Sequence, residues 1–120
     1  MTYLDKNTKV EGRFWLNIEN QHFLAEGKVK LLELIDELGS ISQAAKKLKM
    51  SYKAAWEMVE RINRFAGKDV VIKEKGGRGG GGAYVTDTGK KIIQLFKDIE
   101  VEHKKWCEKI ESDLKKYEIL

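Results

Sequence analysis

Long hydrophobic runs and paired cysteines are both absent from this sequence of 120 residues. No apolar stretch approaches the roughly 18 residues that a membrane-spanning helix requires, and residues 1–8 are polar and mixed in charge, unlike a signal peptide. The lone Cys107 cannot form an intramolecular disulfide, which fits a reducing compartment. These absences predict a cytoplasmic protein that has no membrane partner.

Residue sets that support catalysis or cofactor binding are missing as well. No serine–histidine–carboxylate or paired-carboxylate arrangement is evident, so we do not expect an enzyme. His103 and Cys107 share a helical face, and two copies could supply four metal ligands, but ordinary packing explains the pair better. The glycines of residues 76–82 lack the Gly-Lys-Ser/Thr ending and the following helix of a nucleotide-binding loop. We predict no catalytic residue, no metal and no cofactor.

The sequence does have a composition suited to one modest core and an uneven distribution of charge. Hydrophobic residues make up 42% and charged residues 35%, which favours a single globular domain over residues 1–120. The net charge of +4 divides into −2 for residues 1–39, +7 for residues 40–91 and −1 for residues 92–120. A basic central segment is typical of a surface that binds a polyanion, because neutralising phosphates releases condensed counterions.

The order of the predicted elements indicates a mainly α, winged helix-turn-helix domain with a small β-hairpin. Alternating apolar residues predict the strand, and apolar residues spaced three or four apart predict the helices. Ser40 and Ser51 are the predicted N-caps of the paired short helices. In chain order we predict a strand (10–19), a helix (25–38), a helix-turn-helix (40–65), a wing (70–86) and a dimerisation helix (87–118).

The last predicted helix would extend about 50 Å, which is too long to be buried within so small a domain. Its apolar residues recur at alternating spacings of three and four, a heptad-like pattern that favours pairing with a partner helix. We therefore predict a homodimer. The predicted dimerisation residues are Ile92, Phe96, Ile99, His103, Trp106 and Ile110.

Eight residues of the basic segment are predicted to contact double-stranded DNA. Those at the start of the third helix would reach base edges and flanking phosphates in the major groove, and those of the second helix would touch the backbone beside it. Two cationic residues of the wing would contact phosphate or enter the minor groove. The predicted contacts are Ser42, Gln43, Ser51, Tyr52, Lys53, Trp56, Lys75 and Arg78.

Three stretches of the sequence carry a resemblance to a known family. They are residues 39–45 (Gly-Ser-Ile-Ser-Gln-Ala-Ala), residues 51–56 (Ser-Tyr-Lys-Ala-Ala-Trp) and the glycine-rich residues 76–83, followed by Thr86 and Gly89. Together they closely resemble the N-terminal domain of ModE-type, molybdate-responsive transcription regulators, and the helix-turn-helix alone also resembles that of LysR-type regulators. The resemblance implies a winged helix-turn-helix that dimerises through its first and last helices, with the third helix and the wing at DNA.

The sequence departs from this family in one respect. ModE proteins that sense molybdate carry C-terminal oxyanion-binding modules, whereas this sequence reaches Leu120 within a predicted helix. We therefore expect a homodimeric transcription regulator without its own molybdate-binding domain, and a separate oxyanion-binding protein is one conceivable partner. The alternative is a winged-helix interaction module that pairs with a different protein chain.

Overall fold

Helices and short antiparallel strand pairs make up the computed structural model, which describes residues 2–3, 8–74, 82–114 and 118–119. The helices are α1 (Glu26–Leu38), α2 (Ile41–Lys47), α3 (Tyr52–Ala66) and α4 (Asp87–Asp113). The strand pairs are β1 (Thr2–Tyr3) with β6 (Glu118–Ile119), β2 (Leu16–Ile18) with β3 (Gln21–Leu24), and β4 (Val71–Lys73) with β5 (Ala83–Val85). The predicted fold class, a mainly α winged helix-turn-helix with a long C-terminal helix, is confirmed.

The chain forms two compact units. Residues 15–96 form the larger unit, which contains both hairpins, the first three helices and the start of α4. Residues 1–14 and 97–120 form the smaller unit, which contains the β1–β6 pair and the rest of α4. None of the helices in the described ranges is long and apolar enough to cross a membrane.

The first strand is shorter than predicted and has a partner that the sequence analysis missed. Only Leu16–Ile18 of the predicted strand 10–19 is paired as a strand, and it forms a hairpin with Gln21–Leu24. Glu19 and Asn20 form the turn with φ values of 50° and 64°, the positive values that a two-residue hairpin turn requires. The alternation of apolar and polar residues begins before the paired strand does. Residues with that pattern form a strand only where a neighbouring strand can accept their hydrogen bonds.

Side chains from all three short helices form the core of the larger unit. Val29, Leu32 and Ile35 lie on the buried face of α1, as the apolar spacing predicts. Ala44 and Ala45 are fully buried on α2, where small side chains let the helices approach closely. Other fully buried residues of this core are Leu24, Leu31, Ala55, Val59, Ile62, Val70 and Val71.

The helix-turn-helix has the predicted caps and an unusual turn. The Ser40 hydroxyl accepts a hydrogen bond from the Gln43 amide (3.1 Å), and the Ser51 hydroxyl accepts one from the Ala54 amide (3.0 Å). Lys49 occupies the turn with φ 56°, a left-handed conformation that glycine adopts at less cost. The position where glycine is common in such turns thus has the expected backbone but a lysine side chain.

The wing begins from strands that are tied to both neighbouring helices. Ala83 of β5 donates its amide hydrogen to the carbonyl of Gly39, the residue that ends α1 (3.0 Å). On the other side, the Asn63 side chain of α3 accepts from the amides of Val70 (2.8 Å) and Val71 (3.1 Å) and donates to the Val71 carbonyl (3.0 Å). The base of the wing is therefore fixed to α1 and α3.

The last helix ends earlier than predicted. It spans Asp87–Asp113 rather than 87–118, and Glu118–Ile119 pair as a strand with Thr2–Tyr3. Its first turn packs closely on the wing: the Thr86 hydroxyl accepts from the Gly89 amide (3.0 Å) and donates to the Asp69 carbonyl (2.7 Å).

Gly89 offers a test of this close approach. A Cβ atom at Gly89 would lie 2.5 Å from both the Val70 carbonyl oxygen and Val85 Cγ1, so Gly89→Ala should lower the free energy of unfolding by about 1–3 kcal/mol. Gly27→Ala in α1 is the matched control, because no heavy atom lies within 4 Å of its Cβ position and alanine favours a helix. Urea denaturation followed by circular dichroism measures both. Equal stability of the two variants would contradict the close packing.

Candidate nucleic-acid interface

One face of α3 is left open to solvent and the opposite face is buried. Ala55, Val59 and Ile62 are fully buried, whereas Tyr52 and Trp56 are 54% and 39% exposed. Tyrosine and tryptophan side chains, which combine an apolar ring with a hydrogen-bond donor, are common at sites of contact with a partner. Ser51, which caps the helix, is exposed at the start of this face, as are Tyr52 and Lys53.

Lys53 lies beside these aromatic residues, and its side chain is 84% exposed. Its ammonium group is 4.0 Å from the carboxylate of Glu57, one turn further along α3. Both side chains are exposed, so this contact contributes little to stability and leaves the lysine free to reach another anion. Ser42 and Gln43 are exposed in the first turn of α2, on the adjoining helix of the motif.

A second lysine joins α3 to the wing. The Lys73 ammonium, on β4, lies 4.2 Å from the centre of the Trp56 ring, in cation–π geometry. The same ammonium forms an ion pair with the Glu60 carboxylate, one turn after Trp56 on α3. Lys73 and Glu60 were not among the predicted site residues, because no local pattern indicates that positions 13 residues apart meet.

The tip of the wing lies outside the described residues. Lys75 and Arg78 belong to it, so their predicted contacts with DNA stay predictions. The wing strand β5 adds Tyr84, which is exposed and was not predicted. Arg61 and Arg64 add exposed cationic side chains on α3 itself. The net positive charge of residues 40–91 is therefore carried by further residues of α3 and the wing strands, in addition to the predicted DNA contacts.

A buried lysine lies at the edge of this unit, on α1. Lys28 donates a hydrogen bond to the His22 carbonyl and contacts His22 Nδ1, both at 3.2 Å. Burial, and secondly the positive charge of Arg61, holds the pKa of Lys28 below its ordinary value of 10.5. His22 also stacks on the exposed Trp15, with ring centroids 6.1 Å apart.

The lowered pKa of Lys28 predicts a dependence of stability on alkaline pH. Between the lowered pKa of the folded state and 10.5, the unfolded chain binds more protons than the folded chain, so the free energy of unfolding should rise with pH there. Lys28→Met should remove that rise, whereas Lys30→Met, an exposed lysine on the same helix, should keep it. Thermal melts across the alkaline range measure the difference. Parallel profiles for wild type and Lys28→Met would contradict the assignment.

The predicted dimerisation residues of α4 divide between buried and accessible positions. Phe96 is 1% exposed, so it packs inside a single chain and is not free for a partner. His103 lies against Phe14, with ring centroids 5.4 Å apart, and its Nε2 is 4.0 Å from the Cys107 sulfur. Ile92, Ile99 and Ile110 are half-buried. Within the described residues, no group of three His, Cys, Asp or Glu side chains could hold a metal.

Trp106 is the most accessible of the predicted dimerisation residues, at 56%, and Leu95, which was not predicted, is 51% exposed. At about 100° per residue, Ile99, Trp106 and Ile110 fall within about 40° of one another around α4. We call these three residues the α4 apolar face. Apolar spacing in the sequence could not distinguish this accessible face of α4 from the adjacent face, which is buried within the same chain.

Residues 15–96 are a winged helix-turn-helix by their order of elements: a helix, a capped pair of helices joined by a short turn, and a hairpin followed by a helix. A solved structure, ArgP from Mycobacterium tuberculosis, superposes with a TM-score of 0.51 at 18% identity, over 69% of this chain and 29% of that chain. At that identity the similarity supports the fold alone.

Sequence comparison finds curated relatives of this chain. The chain is 34% identical over 107 residues to the "Molybdenum transport protein ModE" of Azotobacter vinelandii, covering 89% of this chain and 40% of that protein. It is 38% identical over 81 residues to the "DNA-binding transcriptional dual regulator ModE" of Escherichia coli K12, covering 68% and 31%. The predicted resemblance is confirmed: this chain is a relative of the ModE-type regulators.

The similarity extends to a third named relative and is limited in length. The chain is 40% identical over 87 residues to the "Molybdenum-pterin-binding protein MopB" of Rhodobacter capsulatus, covering 72% of this chain and 32% of that protein. The chain thus spans less than half the length of these curated relatives. No family model matches the sequence.

Proposed function

We propose that this chain binds double-stranded DNA through α3 and the wing, as a transcription regulator that acts as a homodimer. The observation that carries the proposal is the open face of α3, on which Tyr52, Lys53 and Trp56 are exposed beside the wing strands. A capped helix with exposed aromatic and cationic residues in its first turns suits insertion into a major groove. The naming of the Escherichia coli relative as a DNA-binding regulator supports the same function.

The distribution of charge supports DNA over other partners. Residues 40–91 carry a net charge of +7, whereas the segments on either side are slightly acidic. Lysines and arginines on α3 and the wing would displace counterions from the phosphate backbone, which supplies much of the affinity. Ser42 and Gln43, exposed at the start of α2, would contact the backbone beside the groove.

Lys53→Ala tests the DNA-contacting role of α3. We expect affinity for a duplex selected from a random pool to fall about 5- to 150-fold, since a contact at a base edge contributes roughly 1–3 kcal/mol. Lys104→Ala removes an exposed lysine from α4 and is the matched control, with affinity unchanged. Fluorescence anisotropy titration at fixed salt measures both. Equal affinity of both variants and wild type would exclude a DNA contact at Lys53.

The α4 apolar face supports the homodimer. Trp106 exposes a large apolar surface that a second α4 would cover, and heptad-like spacing suits helix pairing. A two-fold pair of winged helices would insert its two copies of α3 into successive major grooves, about 34 Å apart. The same face could instead receive a different chain, in which case the domain would be an interaction module and not a homodimeric regulator.

Trp106→Asp distinguishes these arrangements. Charge on the α4 apolar face should convert a dimer to a monomer, because an unpaired carboxylate would be buried at the interface. Val101→Asp is the matched control: Val101 is also exposed on α4 but lies about 120° or more from that face. Sedimentation equilibrium gives the mass of each. A monomeric wild type that fails to bind DNA would support the interaction module.

A further inference from the structure

We propose that Glu60 is a specificity-determining residue of the DNA-binding face, acting by holding Lys73 against Trp56. The inference rests on the proposed function, and it concerns a carboxylate that no prediction or comparison assigned to the site. Glu60 lies on α3 one turn after Trp56, and its side chain is 43% exposed. A half-exposed carboxylate on a surface that meets phosphates opposes binding to DNA of any sequence.

The Lys73 ammonium is held from two sides. The Glu60 carboxylate neutralises it, and the Trp56 ring lies 4.2 Å beneath it. The Lys73 side chain is only 31% exposed, so the ion pair is better shielded than that of Lys53 with Glu57. In the free protein, therefore, Lys73 adds little positive charge to the face, although it lies on the strand that leads into the wing.

The wing strand β4 has two attachments to α3 that differ in chemistry. Asn63 binds the backbone of Val70 and Val71 through neutral hydrogen bonds that DNA does not compete for. The attachment of Lys73 to Glu60 is charged, and a phosphate could replace the carboxylate as the partner of Lys73. Only the second attachment can therefore respond to DNA.

This arrangement has two effects on binding. It removes one cation from the set that attracts every phosphate backbone alike, which lowers affinity for unrelated sequences. It also holds the Trp56 ring in one orientation, so that the part of the ring left exposed meets base edges in a fixed position. The second effect raises the ratio of affinity for a selected site to affinity for unrelated DNA, whereas the first lowers affinity for every sequence alike.

Glu60→Gln tests the proposal, with Glu57→Gln as the matched control. Each substitution removes a carboxylate of α3 that pairs with a lysine. Only Glu60, however, pairs with Lys73, the lysine that lies over Trp56. We expect Glu60→Gln to raise affinity for a shuffled duplex roughly tenfold at low salt, and to steepen its salt dependence by about 0.9, the contribution of one added phosphate contact. The ratio of selected to shuffled affinity should fall several-fold for Glu60→Gln and stay unchanged for Glu57→Gln.

A measurement without DNA tests the contact itself. In a Trp15→Phe, Trp106→Phe background, Trp56 is the remaining tryptophan of the sequence. Acrylamide quenching of its fluorescence should increase with Glu60→Gln and with Lys73→Met, because the ring loses its cover, and should not change with Glu57→Gln. Equal quenching and equal affinity ratios for the two glutamine variants would overturn the proposal while leaving DNA binding intact. Failure of the wild type to bind any duplex would instead overturn the proposed function, and this inference with it.

Discussion

The site depends on the hydrogen bonds that Asn63 makes to the backbone of Val70 and Val71. They join the last turn of α3 to the start of the first wing strand. A single side-chain amide suits this role because it offers an acceptor and a donor together, and so satisfies two amides and one carbonyl. Without that link, the charged contact of Lys73 with Glu60 and Trp56 would have to hold β4 against α3, and phosphate can exchange for the carboxylate in that contact.

Other contacts within the larger unit support this link. Gly39 ends α1 in a left-handed conformation (φ 66°), and its carbonyl accepts from the Ala83 amide, so the end of α1 fixes the second wing strand. Gly89 lets α4 approach the Val70 carbonyl so closely that no Cβ fits. The backbone of the wing base is thus held by the Asn63 side chain of α3, by the Gly39 carbonyl at the end of α1 and by the close approach of α4 at Gly89. Its surface side chains are consequently free to vary in charge without loss of the fold.

Local signals in the sequence predicted local structure well, and they failed where a distant partner decided the outcome. Ser40 and Ser51 were recognised as caps because a cap depends on the next three residues. The strand Gln21–Leu24 was missed because Glu19 and Asn20 turn the chain without glycine. Phe96 was assigned to a partner's helix because apolar spacing defines a stripe and cannot say which edge its own chain covers. No local sequence pattern predicts the contact of Lys73 with Trp56 and Glu60.

Composition gives the net charge of the site but not how each charged side chain is held. A count over residues 40–91 gives +7, yet the ions in that count are not equivalent. Lys53 is exposed beside a weakly held carboxylate, whereas Lys73 is enclosed by a carboxylate and an indole ring. An exposed ion pair opens at little cost, so Lys53 acts on an approaching polyanion almost as a free cation. Lys73 must first exchange one anion for another. The attraction of such a surface for phosphate therefore depends on how each lysine is held as much as on how many lysines there are.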